Sequence, residues 1–307
     1  MTGEPLRTDR SIGVPTRTVS LIVNPAAGGG RAGRLLGAVG KALSVNGLEH
    51  HVERTRSLEH ARELAAAAGE AGEVAAAFGG DGLIGAVAGA LAHTEGVLGI
   101  LPGGRGNDLA RVLGIPLDPA AACQVIATGI VKRLDLGEAG GSTFVGIASC
   151  GFDSDANRIA NQTRVVRGNL VYAYGAIRAL ITWRAARFEL TLDGDRDHVV
   201  TGYTVGAANS KAYGGGMYAA PGAELDDGLL DIVTLADMPK LRFLASLMPK
   251  VFKGTHVEEP EVTVLRASEV TITADRPFTV YADGDPIAEL PVTIRAIPGA
   301  VRAIVPR

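Results

Sequence analysis

The stretch EVAAAFGGDGLIGAVAGALA, residues 73–92, sets the architecture of the first half of the chain. Residues 73–78, apolar from Val74 onward, have the length of a buried strand, residues 79–82 (GGDG) form a turn, and residues 83–92 have helical periodicity. The same succession recurs around it, with strands predicted over 18–24, 48–54 and 96–101 and helices over 31–46, 57–69 and 108–113. Because short links join alternating strands and helices, we predict a parallel sheet covered by helices on both faces.

The pattern changes after about residue 134, where segments of alternating apolar and polar residues take over. They cover residues 142–148, 187–192, 199–208, 230–235, 262–265, 270–273, 278–281 and 291–297, and helical stretches lie at 170–184 and 240–253. Glycine, proline and aspartate turns between such segments are typical of an antiparallel β-sandwich. We therefore expect a loose tail over 1–16, an α/β domain over 17–134 and a β-rich domain over 135–297, with 298–307 returning to the first domain.

The bulk properties of the 307 residues limit the classes of function. The formal net charge of -3 gives no overall basic field that would attract nucleic acid or an anionic membrane. Any contact with a membrane would therefore be local and transient. Cys123 and Cys150 lack metal-ligand spacing and are predicted to be buried thiols. No apolar run reaches the roughly 18 residues of a spanning helix, and the polar start does not resemble a signal peptide. These features predict a cytoplasmic protein that is peripheral to the membrane, and they leave a homodimer open.

Three glycine-rich turns follow predicted strands of the first half and would meet at one edge of the sheet. They are residues 24–30 (NPAAGGG), 79–82 (GGDG) and 101–108 (LPGGRGND). Glycine lets the backbone approach a phosphate closely, and ligands bind outside the carboxyl ends of parallel strands. One such turn alone would be read as a tight connection, but three of them predict a nucleotide site. The sequence has neither a P-loop nor a regular Rossmann fingerprint, so the phosphate cradle is of another design.

These motifs, in this order, resemble the diacylglycerol kinase catalytic domain family of bacterial and eukaryotic lipid kinases. In the second half, the motifs similar to that family are GAAN (206–209), YGGGM (213–217), LDDGLL (225–230) and YADGDP (281–286). GGDG alone also occurs in NAD kinases and phosphofructokinases, whereas the ordered set is specific. The similarity covers nearly the whole chain from about residue 18.

The resemblance implies an N-terminal α/β domain similar to that of NAD kinases, a C-terminal antiparallel β-sandwich domain, and an ATP- and Mg²⁺-dependent kinase of diacylglycerol or a similar lipid. Together with the turns, it predicts these nucleotide-binding residues: Asn24, Thr55, Gly79, Gly80, Asp81, Gly82, Leu83, Gly85, Gly103, Gly104, Arg105 and Asn107.

The chain departs from the family pattern at two places in this set. After GGDG the family usually has threonine, then asparagine and glutamate, where this chain has Leu83, Gly85 and Ala86. The usual threonine of the third turn is Arg105. A guanidinium can pair bidentately with phosphate oxygens, so we expect Arg105 to grip the ATP phosphates. The alternative is that it points to solvent while the loop backbone binds.

Phosphoryl transfer to a hydroxyl needs charge neutralisation and a carboxylate near the attacking oxygen. Asp81 follows the two glycines of the GGDG turn at the end of a strand and would touch a magnesium–phosphate complex. The resemblance implies the general base in the Asp-Gly-Asp of residues 283–285, and we expect Asp283 to act with Asp285 as a pair. From the residues alone, a hairpin turn built on Asp-Gly is the alternative.

Two other acidic segments have competing interpretations. Residues 226–228 (DDG) read alone are a turn, whereas the resemblance implies a structural Mg²⁺ held by Glu224, Asp227 and Leu229, partly through backbone carbonyls. Asp153 and Asp155, early in the second domain, could face the nucleotide cleft, but we predict that they are solvated loop carboxylates.

The sequence thus predicts a lipid kinase with diacylglycerol as the default acceptor. A sphingoid base or another lipid alcohol would use the same machinery. Residues 170–184 and 241–253 carry aromatic and basic side chains that suit a membrane interface, although packing against the β-rich domain would also explain them. Two rival functions are a kinase of NAD and a nucleotide- or lipid-binding protein with degraded catalysis.

Overall fold

A computed structural model describes residues 18–163 and 170–307, which form two compact units. Unit 1 contains residues 18–104, 113–133 and 301–307, and unit 2 contains residues 105–112 and the described part of 134–300. The chain therefore passes from one unit to the other at four places, after residues 104, 112, 133 and 300.

The elements are numbered along the chain. The strands are β1 (Thr18–Val23), β2 (Glu49–Arg54), β3 (Val74–Gly79), β4 (Val97–Pro102), β5 (Ile130–Ala139), β6 (Ser142–Phe144), β7 (Ile147–Gly151), β8 (Ala186–Leu192), β9 (Arg196–Ala208), β10 (Ala212–Tyr213), β11 (Met217–Tyr218), β12 (Leu230–Ala236), β13 (Val262–Ala267), β14 (Glu269–Ala274), β15 (Thr279–Ala282), β16 (Asp285–Glu289) and β17 (Val292–Val305). The helices are α1 (Ala27–Val45), α2 (Leu58–Glu70), α3 (Asp81–Ala90), α4 (Asp108–Val112), α5 (Pro119–Thr128), α6 (Phe152–Gln162), α7 (Leu170–Thr182) and α8, a continuous run of Lys240–Arg242, a π turn Phe243–Leu247 and Met248–Val251; a 3₁₀ turn covers Thr255–Glu258.

Unit 1 has the predicted parallel sheet, in the strand order β17–β4–β3–β1–β2. All six residues of β3 and of β4 are buried, as expected of central strands with helices on both faces. Ser57 caps α2, because its side chain accepts a hydrogen bond from the His60 N–H at 3.1 Å. The end of β17 pairs in parallel with β4, with Arg302 opposite Val97.

Unit 2 has the predicted antiparallel sheet. Its strands follow the order β16–β15–β7–β9–β8–β14–β17, and the long β9 also pairs with β12, which continues to β13. All of these pairings are antiparallel. One face of the sheet is covered by an aromatic core that contains Phe152, Trp183, Tyr203 and Phe243.

The prediction of one strand over 142–148 was wrong. The structure has two strands, β6 and β7, which are interrupted at Val145 and Gly146. The N–H groups of these two residues donate to the carboxylate of Asp283 instead of to a neighbouring strand. The contact joins residues more than 130 positions apart in the sequence, so no local pattern could reveal the interruption.

Both cysteines are buried free thiols, as predicted. Burial raises the pKa of Cys123 to about 11 and that of Cys150 to about 12, and the nearby charge of Asp118 or Asp153 adds to the effect. Within residues 18–163 and 170–307, no helix combines the length and the apolar character that crossing a membrane requires.

Candidate functional site

The three glycine-rich turns of unit 1 touch one another at the carboxyl ends of β1, β3 and β4. A Cβ atom on Gly28 would lie 2.5 Å from the carbonyl oxygen of Gly103. The N–H of Gly103 donates to the carbonyl of Gly79 at 2.7 Å, and a Cβ on Gly80 would lie 3.4 Å from Cα of Gly104. At Gly28 only glycine permits this close approach, and the three turns lie together at one edge of the sheet, as expected.

The first turn owes its shape to consecutive left-handed residues. Gly28, Gly29 and Gly30 have φ values of 61°, 68° and 82°, so the regular part of α1 begins only after them. Oδ1 of Asn24 accepts the N–H of Ala26 at 3.1 Å, which fixes the start of the turn. The turn therefore holds backbone N–H groups in a conformation that L-side chains rarely adopt, as is common in anion-binding loops.

The second turn directs an acidic residue and a helix N-terminus to the same edge. Asp81 opens α3, whose N-cap residue Gly80 makes no side-chain capping bond. A Cβ on Gly82 would meet no atom within 4 Å, so space is open beside the turn. Leu83 is 3 % exposed and packs against Gly79, so its side chain belongs to the interior of unit 1. The free N–H groups of a helix N-terminus attract phosphate.

Thr55 lies at the end of the neighbouring strand β2. Its N–H and its hydroxyl both donate to the carbonyl of Val23, at 2.9 and 3.3 Å. This residue is therefore fixed beside the end of β1, where the first turn starts.

Of the remaining predicted nucleotide residues, Gly85 lies within α3 of unit 1, whereas Arg105 and Asn107 belong to unit 2. Arg105 is exposed, whereas Asn107 is buried and left-handed, with a φ of 54°. The following residue, Asp108, accepts the N–H of Gly215 at 2.8 Å, which attaches the start of α4 to the YGGGM turn. Sequence reasoning did not single out Asp108 as an anchor.

Asp283 occupies a two-residue hairpin turn between β15 and β16, with Ala282 paired to Asp285. Asp283 and Gly284 have φ values of 51° and 96°, so the turn reading of Asp-Gly is geometrically correct. The carboxylate accepts the N–H groups of Val145, Gly146 and Ile147 at 2.9 to 3.2 Å. These three donors stabilise the ionised carboxylate and fix its direction, while the residue stays exposed to solvent.

Asp285 has a different environment. It is exposed at the start of β16, and its side chain makes no hydrogen bond or ion pair within the described residues. The two carboxylates of the Asp-Gly-Asp motif are therefore not equivalent, since only Asp283 is held by backbone donors.

Two buried polar residues that sequence reasoning did not assign support the segment that holds Asp283. The Asn209 side chain donates to the carbonyls of Asp135 and Val145, both at 3.0 Å. The Asp135 carboxylate accepts the N–H groups of Gly228 and Gly299 at 2.7 and 2.6 Å. Asn209 ends the GAAN motif, which was a usable signal, whereas Asp135 lies in β5 with no motif around it.

The predicted metal turn has its carboxylate already engaged. Oδ1 of Asp227 accepts the N–H of Leu229 at 3.0 Å, and Oδ2 pairs with the guanidinium of Arg266. Burial, and then the charge of Glu224, raise the pKa of Asp231 to about 6. Over the described chain, no three His, Cys, Asp or Glu side chains are placed to hold a metal together. As arranged, the turn fits a guanidinium, and a metal would have to replace Arg266 and rely on backbone carbonyls.

The prediction of a solvated carboxylate was wrong for Asp153. It lies in the first turn of α6 and accepts the hydroxyl of Thr204 at 3.1 Å. Burial raises its pKa above the usual range, although hydrogen bonds from Thr204 and Ser149 oppose that effect. Asp155 fits the prediction better, since it pairs with Arg158 on the partly exposed face of the helix.

Comparison with known proteins gives two family matches that together span nearly all of the described chain. The family described as "Diacylglycerol kinase catalytic domain" matches residues 18–139, and the one described as "YegS C-terminal NAD kinase beta sandwich-like domain" matches residues 146–305.

Individual relatives agree with these matches. A diacylglycerol kinase of Mycobacterium tuberculosis (strain CDC 1551 / Oshkosh) is 38 % identical over 223 residues, which are 71 % of this chain and 72 % of the relative. The crystal structure of a diacylglycerol kinase from Bacillus anthracis str. Sterne has a TM-score of 0.72 at 23 % identity, with 94 % of this chain and 97 % of that chain covered. An NAD kinase from Archaeoglobus fulgidus in complex with ATP has a TM-score of 0.51 at 14 % identity, with 94 % and 93 % covered. Both solved structures are similar to this chain in fold.

Proposed function

The chain belongs to the diacylglycerol kinase catalytic domain family, and on this premise we propose that it transfers the γ-phosphate of ATP to a hydroxyl of a diacylglycerol-like lipid. The observation that carries the proposal is the contact of three glycine-rich turns in unit 1, beside the N-terminus of α3 and Asp81. This arrangement offers backbone N–H groups to phosphate and a carboxylate to the cation that accompanies it.

In the proposed nucleotide site, Gly79, Gly80, Gly103 and Gly104 let ATP approach the backbone, and Asp81 faces the phosphates. When bound with ATP, Mg²⁺ offsets the negative charge of the phosphates. Arg105 adds a permanent positive charge, because a guanidinium stays protonated at any physiological pH. Asn24 and Thr55 act by fixing the first turn and the end of β2.

We propose Asp283 as the general base, with Asp285 in a supporting role. A base must be ionised and oriented before the lipid hydroxyl arrives. Three backbone N–H donors meet both requirements at Asp283, and the residue remains exposed. Asp285 adds negative charge near the turn, which favours departure of the hydroxyl proton.

Transfer of labelled phosphate from ATP to diacylglycerol in mixed micelles with MgCl₂ tests the proposal. We expect phosphatidic acid as the product. Sphingosine and NAD are tested as alternative acceptors in parallel reactions. Phosphorylation of NAD without phosphorylation of any lipid would replace the proposal by the rival kinase function. ATP binding without turnover on any acceptor would favour a binding protein.

A separate prediction concerns the turn that contains Asp227, where the family resemblance implies a structural Mg²⁺. If Glu224, Asp227 and the carbonyl of Leu229 bind Mg²⁺, removal of the competing guanidinium should strengthen the binding. We expect MgCl₂ at tenfold its Kd to raise the Tm of Arg266→Ala by roughly 2–4 °C, more than that of wild type. Asp227→Asn should show no response in the same thermal unfolding measurement. Equal responses in all three proteins would count against a metal at this turn.

A further inference from the structure

We propose that the outer faces of α7 and α8 form one surface that docks onto an anionic lipid bilayer. The inference rests on the proposed function, since a kinase that acts on a membrane lipid must reach the lipid surface. It is carried by the packing, exposure and charge of these two helices.

The inner faces of the two helices meet over the same aromatic cluster of unit 2. Trp183, just after α7, packs edge-on to Phe152 with ring centroids 5.8 Å apart. Phe243 of α8 packs on the same Phe152 at 5.1 Å. In addition, Nζ of Lys240 donates to the carbonyl of Ile181 at 2.9 Å, which joins the end of α7 to the start of α8. The end of α7 therefore adjoins the start of α8, and both helices cover the same aromatic cluster on one side of unit 2.

These outer faces expose large apolar side chains, which we call the apolar patch. On α7, Ile177 and Ile181 are one turn apart and are 51 % and 68 % exposed. On and just after α8, Leu241, Leu244 and Phe252 are 78 %, 49 % and 56 % exposed. In contrast, Phe243, Leu247 and Val251 on the other face of α8 are buried. A helix that is apolar on both faces requires a second apolar environment besides the core.

The charge of the two segments is of one sign. Residues 170–184 and 240–253 contain six basic residues and no aspartate or glutamate, in a chain whose net charge is -3. The six are Arg178, Arg184, Lys240, Arg242, Lys250 and Lys253.

Their pairing leaves most of this charge uncompensated. Arg242 and Lys250 form ion pairs with Glu259 and Glu261, which follow α8. For the other four, the described chain provides no acidic partner within 4 Å.

This combination favours a bilayer over a second copy of the chain as the occupant. In a symmetric dimer, the basic residues without an acidic partner would face the same basic residues of the other copy, and these like charges would repel. The anionic headgroups of a bilayer complement these basic residues, while its acyl region accepts the apolar side chains of the patch.

The test is co-sedimentation of the full chain with phosphatidylcholine vesicles that contain roughly 30 % phosphatidylglycerol, compared with vesicles of phosphatidylcholine alone. We expect wild type to bind the anionic vesicles, less tightly at high salt. Ile181→Glu combined with Leu241→Glu should weaken binding by about tenfold or more, and Lys253→Glu by a few-fold. The matched control is Val45→Glu, because Val45 is 76 % exposed and belongs to unit 1, whereas all residues of the apolar patch belong to unit 2. The control should bind like wild type.

Vesicle binding that is equal in wild type and the double variant would overturn the proposal, as would no binding by wild type. So would a change of the double variant from dimer to monomer with vesicle binding intact. An assay with a water-soluble, short-chain diacylglycerol separates docking from catalysis. The patch variants should keep the wild-type kcat on this acceptor. If vesicle binding depends on the patch but no lipid is phosphorylated, the proposed kinase function is rejected and the docking surface is retained.

Discussion

Replacement of Asp283 by alanine is expected to lower kcat for phosphoryl transfer to diacylglycerol by about a thousandfold, while the Kd for ATP changes by less than about threefold. The loss removes the proposed base and leaves the N–H groups of Val145, Gly146 and Ile147 without their acceptor. Unpaired donors of this kind cost roughly 1–3 kcal/mol of stability, so the Tm must be measured alongside. Rapid-quench kinetics with labelled ATP, together with calorimetric ATP binding, measure the two effects separately.

A second variant distinguishes the position of the carboxylate from its presence. A Cβ atom on Gly146 would overlap Oδ1 of Asp283, so Gly146→Ala displaces the carboxylate without removing it. We expect a loss of kcat of about tenfold to a hundredfold.

Asp285→Asn, at an exposed side chain without a polar contact to the described residues, should lower kcat by about tenfold or less. A larger effect at Asp285 than at Asp283 would exchange their roles.

The second large effect is expected at the contact between the first and third glycine turns. Gly28→Ala places a methyl group 2.5 Å from the Gly103 carbonyl oxygen, so the two turns must separate. A displacement of about 1 Å at such a site can cost on the order of a hundredfold. We therefore expect the Kd for ATP to rise about thirtyfold or more, as measured by calorimetry.

Gly29→Ala is the matched control for this variant. Gly29 has a φ of 68°, close to the 61° of Gly28, but a Cβ there would meet no atom within 4 Å. Both substitutions carry the same left-handed strain of roughly 1–2 kcal/mol, and only one carries the clash. If the two variants lose ATP affinity equally, backbone strain and not the contact between the turns explains the loss.

The parallel sheet and its turns were predictable because each depends on a local pattern. Short apolar runs, helical periodicity and glycine turns follow one another in β3, α3 and their neighbours, and Ser57 marks the start of α2. The helix α5 was missed although its signals were present. Asp118 accepts the N–H of Ala121 as an N-cap, and Pro119 occupies the first turn.

Other features of the site depend on contacts that no local pattern records. The carboxylate of Asp283 interrupts a strand more than 130 positions away, and Asp135 joins the turns at Gly228 and Gly299. The half-buried setting of Asp153 in α6 was likewise invisible, because its partner Thr204 lies in β9, 51 positions away in the sequence. The family resemblance predicted which residues form the site, but the hydrogen bonds that support these residues are visible only in the structure.

The course of β17 limits how this protein could have evolved and how it can be divided. Residues 292–300 belong to unit 2 and the last seven residues, 301–307, complete unit 1. Arg302 pairs there with Glu95, and its strand covers the edge of β4. No contiguous gene segment therefore encodes unit 1, so the exchange of one contiguous segment could not transfer this unit alone. A fragment that stops at residue 300 would leave an open sheet edge, and such edges promote aggregation.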